Sequence, residues 1–119
     1  MHIKKKSECV PFDSGKGEVV YELIGHVAGG SDKYSLAHVE LLPGASSMRH
    51  SHPIAEESYY ILKSEGELII DGESKIVKPG QAIAIPPLQT HQIFNRTKDT
   101  LEFLTICMPA WTPDCSTAE

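Results

Sequence analysis

The chain has 119 residues, 40% hydrophobic and 23% charged, which is enough for one domain with a sizeable core and too few for two. Its 11 basic and 16 acidic residues leave a net charge of -5. That balance excludes nucleic acid and anionic membrane as expected partners, because both call for concentrated Lys and Arg.

The first basic run, Lys4-Lys5-Lys6, reads as a solvated terminal tail. No apolar stretch follows it as in a secretory signal, and no apolar run is long enough to cross a bilayer. The three cysteines, Cys9, Cys107 and Cys115, are odd in number and form no CxxC pair. They point to reduced thiols and a cytoplasmic location. Asn95-Arg96-Thr97 has the form of a glycosylation acceptor, read as coincidence in a chain without a secretory signal.

Along the chain, residues 1–17 form a polar arm. Strands are then predicted near Val19–Ile24, Tyr34–Leu42, Met48–His52, Ser58–Leu62, Glu67–Ile70, Lys75–Val77, Ala82–Ile85, His91–Asn95 and Leu101–Cys107. Each is short, β-rich and bounded by Gly, Pro, Asp or Asn. Asp71-Gly72 between Leu68-Ile69-Ile70 and Ile76-Val77 predicts a tight hairpin. No stretch has a convincing helical period. Residues 109–119, with two prolines and Trp111, are expected to lie over the surface rather than extend a sheet. Evenly spaced short strands predict an all-β sandwich or barrel in a single domain over residues 1–119.

Two histidine clusters carry the chemistry. In His50-Ser51-His52 the side chains two apart on a strand face the same way and can converge on one point. Glu57 lies at an odd offset from His52, so a straight strand would turn it away. Pro53 interrupts the ladder, and a turn over 53–55 folds the next strand back and aims Glu57 at the same point. Glu56 is the rival carboxylate. The second cluster is Pro86-Pro87-Leu88-Gln89-Thr90-His91, with Asn95 further on.

These segments resemble the two conserved motifs of the cupin superfamily. The first, over 44–66, has Gly44, five residues, His50, His52, four residues and Glu57. The second, over 80–95, has Gly80, five residues, Pro86, then Leu88, His91 and Asn95. Ser64 and Leu88 stand where the family usually has glycine, and Gly66 is placed to take over part of the turn at Ser64. The resemblance implies a double-stranded β-helix, or jelly-roll, barrel. It further implies that His50, His52, Glu57 and His91 hold one divalent transition metal inside that barrel. Three imidazoles and a carboxylate suit Mn, Fe, Co, Ni or Zn and leave positions open for a substrate or O₂, unlike a closed thiolate zinc site.

The chain is also similar to short single-domain cupins likened to mannose-6-phosphate isomerase. The implied activity is that of a metal-dependent enzyme on a small oxygen-rich molecule, such as a sugar, keto acid, carbonyl compound or diol, by Lewis-acid isomerase-type chemistry. A metal-dependent dioxygenase and a non-catalytic ligand-binding module are the alternatives. Tyr59 and His38 are the candidate catalytic proton carriers, and Met48, Gln89, Ile93 and Phe103 the candidate substrate-binding residues. Cys107 is expected in the core. A homodimer is expected, with Ile3, Val10 and Phe12 of the arm as its apolar contacts.

Overall fold

The computed structural model describes residues 1–51, 53–112 and 117–118, with His50, Thr117 and Ala118 described by backbone alone. After a short 3₁₀ turn at Lys6–Glu8, the strands are β1 (Phe12–Asp13), β2 (Glu18–Ile24), β3 (Ser35–Leu41), β4 (His50–Ser51), β5 (Glu56–Lys63) and β6 (Gly66–Ile70). They continue with β7 (Glu73–Val77), β8 (Ala82–Ile85), β9 (His91–Phe94), β10 (Leu101–Met108) and β11 (Thr117–Ala118). They form a six-stranded sheet ordered β1-β2-β3-β10-β5-β8 and a five-stranded sheet ordered β11-β4-β9-β6-β7. Every pairing is antiparallel. Two facing antiparallel sheets make the all-β architecture that the strand spacing predicts and the jelly roll that the resemblance implies.

The side chains sort by strand alternation. On β3, Ser35, Ala37, Val39 and Leu41 are buried, while Leu36, His38 and Glu40 face outward. Tyr59 and Ile61 from β5, Leu68 from β6, Ile85 from β8, Ile93 from β9, and Leu101 and Phe103 from β10 join Val39 and Leu41 in one core. Burying each such side chain stabilises the barrel by about 1.5–3 kcal/mol.

The turns explain how the strands change sheet. Asp71 and Gly72 have φ of 46° and 83°, the left-handed pair that a two-residue hairpin between β6 and β7 needs. Between β5 and β6 the chain crosses from one sheet to the other through Ser64, which takes φ 66° itself. Leu88 does the same with φ 70°. Both positions therefore keep the backbone that glycine would give, at about 1–2 kcal/mol each for an L-residue. Gly66 does not share that turn, contrary to expectation. It makes room where the chain enters the core, since a Cβ there would sit 2.9 Å from Leu101 Cδ2 and 3.1 Å from Ile93 Cδ1.

Both termini depart from the simple arm picture. The first residues lie along the chain's own β2: His2 Nε2 is 2.9 Å from Leu23 O, and Phe12 pairs with Val20. Lys6 Nζ reaches Glu40 at 3.4 Å and sits 4.9 Å from the Tyr21 ring centroid. The carboxylate of Glu40 beside it raises the Tyr21 phenol above its usual range. At the other end, β11 pairs with β4 and so does extend a sheet, correcting the expectation of a purely surface-lying tail. A two-residue edge strand needs only backbone partners, so its side chains carry no pattern to read. Trp111 packs its ring 5.8 Å from Phe12. No helix among the described residues is long and apolar enough to cross a membrane.

Candidate metal centre

The two motifs bring a carboxylate and an imidazole together from opposite sheets. Glu57 is the second residue of β5 and faces inward with Tyr59 and Ile61. His91 opens β9 and is 1% exposed. Glu57 Oε1 lies 2.8 Å from His91 Nε2. Thr105 Oγ1 of β10 donates to the other carboxylate oxygen, Oε2, at 2.9 Å. His50 is the direct cross-strand partner of His91, so the backbone sets the first motif beside the second. Its side chain and the whole of His52 lie outside the described residues.

The loop that presents His91 is itself fixed. Asp71 N–H donates to Thr90 O and Thr90 N–H to Asp71 Oδ1, both at 2.9 Å, which ties the β6–β7 turn to the residue before His91. His91 Nδ1 is 3.0 Å from Gln89 O. A carbonyl oxygen only accepts, so Nδ1 carries a proton. The neutral tautomer then has its lone pair on Nε2, aimed at an oxygen of Glu57. Two lone pairs at that separation require a shared proton or a cation between them. Histidine ligands to metals commonly make this outer hydrogen bond. Imidazole and carboxylate together are a donor set for a borderline divalent ion. Among the described residues Glu57 and His91 thus offer two donors that suit such an ion; His50 and His52 join them only by the motif resemblance.

Tyr59 borders the pair. It is 3% exposed, its ring meets His91 edge-on at 6.2 Å, and it packs on Phe103 at 4.8 Å. Burial, and then the nearby Glu57 charge, push its phenol well above the usual range, so it stays protonated.

The other candidates are placed differently. His38 is on the outer face of the six-stranded sheet, its Nε2 2.9 Å from Glu102 Oε1 and its ring edge-on to Tyr21 at 6.4 Å. A role for it inside the barrel is thereby corrected, because alternation sends it away from buried Ala37 and Val39. Ile93 and Phe103 are core residues, 0% and 2% exposed. Gln89 is half-buried and supplies its backbone carbonyl to His91. Met48 is 61% exposed in the loop before β4. Glu56 is exposed, on the opposite face of β5 from Glu57. Cys107 is buried directly across from Glu57 in the β5–β10 pairing. Sequence reasoning missed Thr105. Its signal was a hydroxyl in the inward row Phe103, Thr105, Cys107 of an apolar strand.

A barrel of two antiparallel sheets with a His–Glu pair between them defines a double-stranded β-helix protein. The chain belongs to the cupin domain family, Cupin_2, whose model matches residues 37–107. It is 33% identical over 101 residues to the uncharacterized protein MJ1618 of Methanocaldococcus jannaschii, covering 85% of this chain and 81% of that one. A predicted oxalate decarboxylase from Thermotoga maritima superposes with TM-score 0.79 at 28% identity, covering 92% of this chain and 99% of that one. A sugar phosphate isomerase of the cupin superfamily from Silicibacter pomeroyi superposes with TM-score 0.69 at 31% identity. That match covers 82% of this chain and 61% of the other.

Proposed function

We propose that the chain is a metal-dependent enzyme acting on a small oxygen-rich molecule, with His50, His52, Glu57 and His91 holding one divalent transition ion. The Glu57–His91 pair carries this reading, since a protonated Nδ1 leaves Nε2 and a carboxylate oxygen facing each other. When bound, the ion supplies Lewis-acid stabilisation of developing oxyanion charge. Tyr59 keeps its proton beside Glu57 and is the candidate to offer its hydroxyl as a hydrogen-bond donor to a substrate oxygen. Phe103 holds its ring, and the buried surroundings limit competing water. The similar structures carry names of activities on oxalate and on a sugar phosphate, both oxygen-rich. An unphosphorylated substrate is favoured, because of the three basic residues near the motifs Arg96 is engaged by Glu67 at 2.6 Å, Lys63 is 63% exposed near Glu102, and Arg49 is exposed before β4.

The test is a screen of small carbonyl compounds, keto acids and diols with zinc-, manganese- and iron-loaded protein in an oxygen-electrode cell. Turnover with redox-inert zinc and no oxygen uptake is expected. Oxygen uptake that needs substrate, His91 and a redox-active metal would replace this reading with a dioxygenase, and binding without turnover under any metal would replace it with a ligand-binding module.

We further propose a homodimer through the outer face of the six-stranded sheet rather than through an exchanged arm. The arm already covers its own β2. The outer face carries Tyr60, Leu62, Ile106 and Met108, each more than 40% exposed. Four of its charges, Lys6, Glu40, Glu102 and Lys63, are paired among themselves, which limits repulsion between two copies; Glu56 stands at the rim of the face. Exposed apolar patches above roughly 300–600 Å² mark interaction sites. Light scattering is expected to give twice the monomer mass at micromolar concentration and the monomer mass for Ile106→Glu; a monomer in the unmodified chain would reject the pairing.

A further inference from the structure

We propose that Thr105 is a positioning residue that holds Glu57 to a single donor oxygen, and thereby keeps open the coordination place that a two-oxygen ligand needs. The inference rests on the metal-centre reading above and deepens it. Thr105 lies on the inner face of β10, directly across from Tyr59 and diagonal to Glu57. Its hydroxyl donates to Oε2 at 2.9 Å while Oε1 points at His91 Nε2 at 2.8 Å. The two carboxylate oxygens thus have divided tasks. A carboxylate can bind a cation through one oxygen or both. An oxygen engaged by a hydroxyl donor is drawn away from the ion, and the carboxylate plane is set with it.

The count of places follows. With His50 and His52 supplied by the proposed function, four protein donors would leave about two positions on a six-coordinate ion, provided Glu57 contributes one oxygen. If it contributed both, about one would remain, and a hydroxy-ketone, keto acid or diol would lose its second point of attachment. Thr105 acts through Glu57 and touches neither metal nor substrate. Outer hydrogen bonds of this kind typically change metal affinity by about 10–100-fold.

The experiment is a Mn²⁺ titration of the full chain, with free Mn²⁺ followed by electron paramagnetic resonance and exchanging waters counted by water-proton relaxation. The unmodified chain is expected to show about two exchanging waters per bound Mn²⁺. Thr105→Val is expected to bind about 10–100-fold more weakly and to show one fewer water. Thr105→Ser, which keeps the hydroxyl, is expected to restore both, and Thr105→Ala provides a second hydroxyl-free variant should the valine chain fail to fold. Unchanged affinity and water count in a folded hydroxyl-free variant overturn the role of Thr105 alone. Failure of Thr105→Ser to restore them does the same. If the unmodified chain takes up neither Mn²⁺ nor Zn²⁺, the metal-centre reading falls, and the assignment of Thr105 with it.

Discussion

Replacing His91 by Ala or Glu57 by Gln is expected to lower affinity for a divalent transition ion by about two to three orders of magnitude. Four-ligand zinc sites bind with about 10–16 kcal/mol, so each ligand is worth about 2.5–4 kcal/mol. His52→Ala is expected to do the same. Glu56→Gln and His38→Ala are expected to leave binding intact, because Glu56 is exposed on the other face of its strand and His38 faces outward beside Glu102. Elemental analysis of untagged protein reads the stoichiometry, with about one ion per unmodified chain. Calorimetry of the same samples reads folding. The metal-free chain should remain folded, since the core around Leu41, Ile61 and Leu101 is formed without the site. An ion at a thousand times its dissociation constant then adds about 4 kcal/mol by linkage. Retention of metal in Glu57→Gln together with its loss in Glu56→Gln would reverse the assignment of the carboxylate.

Asn95→Ala is expected to destabilise the fold by about 3–5 kcal/mol while removing no candidate ligand. Asn95 is 1% exposed. Its Nδ2 donates to Leu41 O at 2.9 Å and to Asp99 O at 2.7 Å, and its Oδ1 accepts from Thr97 N at 3.0 Å and Thr97 Oγ1 at 2.8 Å. One side chain thus closes the turn between β9 and β10 and satisfies a carbonyl at the end of β3. Truncation strands the buried Leu41 carbonyl, at about 1–3 kcal/mol, and breaks three further bonds to half-buried Thr97 and exposed Asp99, each worth about 0.5–1.5 kcal/mol. Asn95→Asp should fare no better, since it exchanges two donors for a charge facing two carbonyl oxygens. Urea denaturation measures the loss, and a change below about 1 kcal/mol would show that water replaces the side chain without penalty. The same bonds commit the amide nitrogen of the Asn95-Arg96-Thr97 triplet to the interior of the folded chain.

The central strands were legible because each alternates or runs apolar between turn residues, and Asp71-Gly72 names its own hairpin. β1 and β11 were not legible, because two residues at a sheet edge are held by backbone bonds that no side-chain pattern announces. Ser64 and Leu88 hid their turns, since sequence alone does not say that a non-glycine residue will bear a left-handed φ. The pairing of Glu57 with His91 was implied by the family resemblance of the two motifs; the bond from Thr105 was not, because a lone hydroxyl on an apolar strand is readable only once its partner strand is known. His38 is a different case. Its neighbours Ala37, Val39 and Leu41 form the apolar row of that strand, and this row already places His38 on the other face.

Glu57 and His91 belong to different sheets. Their 2.8 Å approach therefore joins the two walls of the barrel at this end, where turns and loops otherwise do the joining. The walls cannot part there without separating these two side chains. Whatever sits between them acts as a clasp, and the protein feels its presence as stiffness on both sides: the amides of β5 and β9 would exchange with solvent in concert, slowly with the clasp shut and faster with it open.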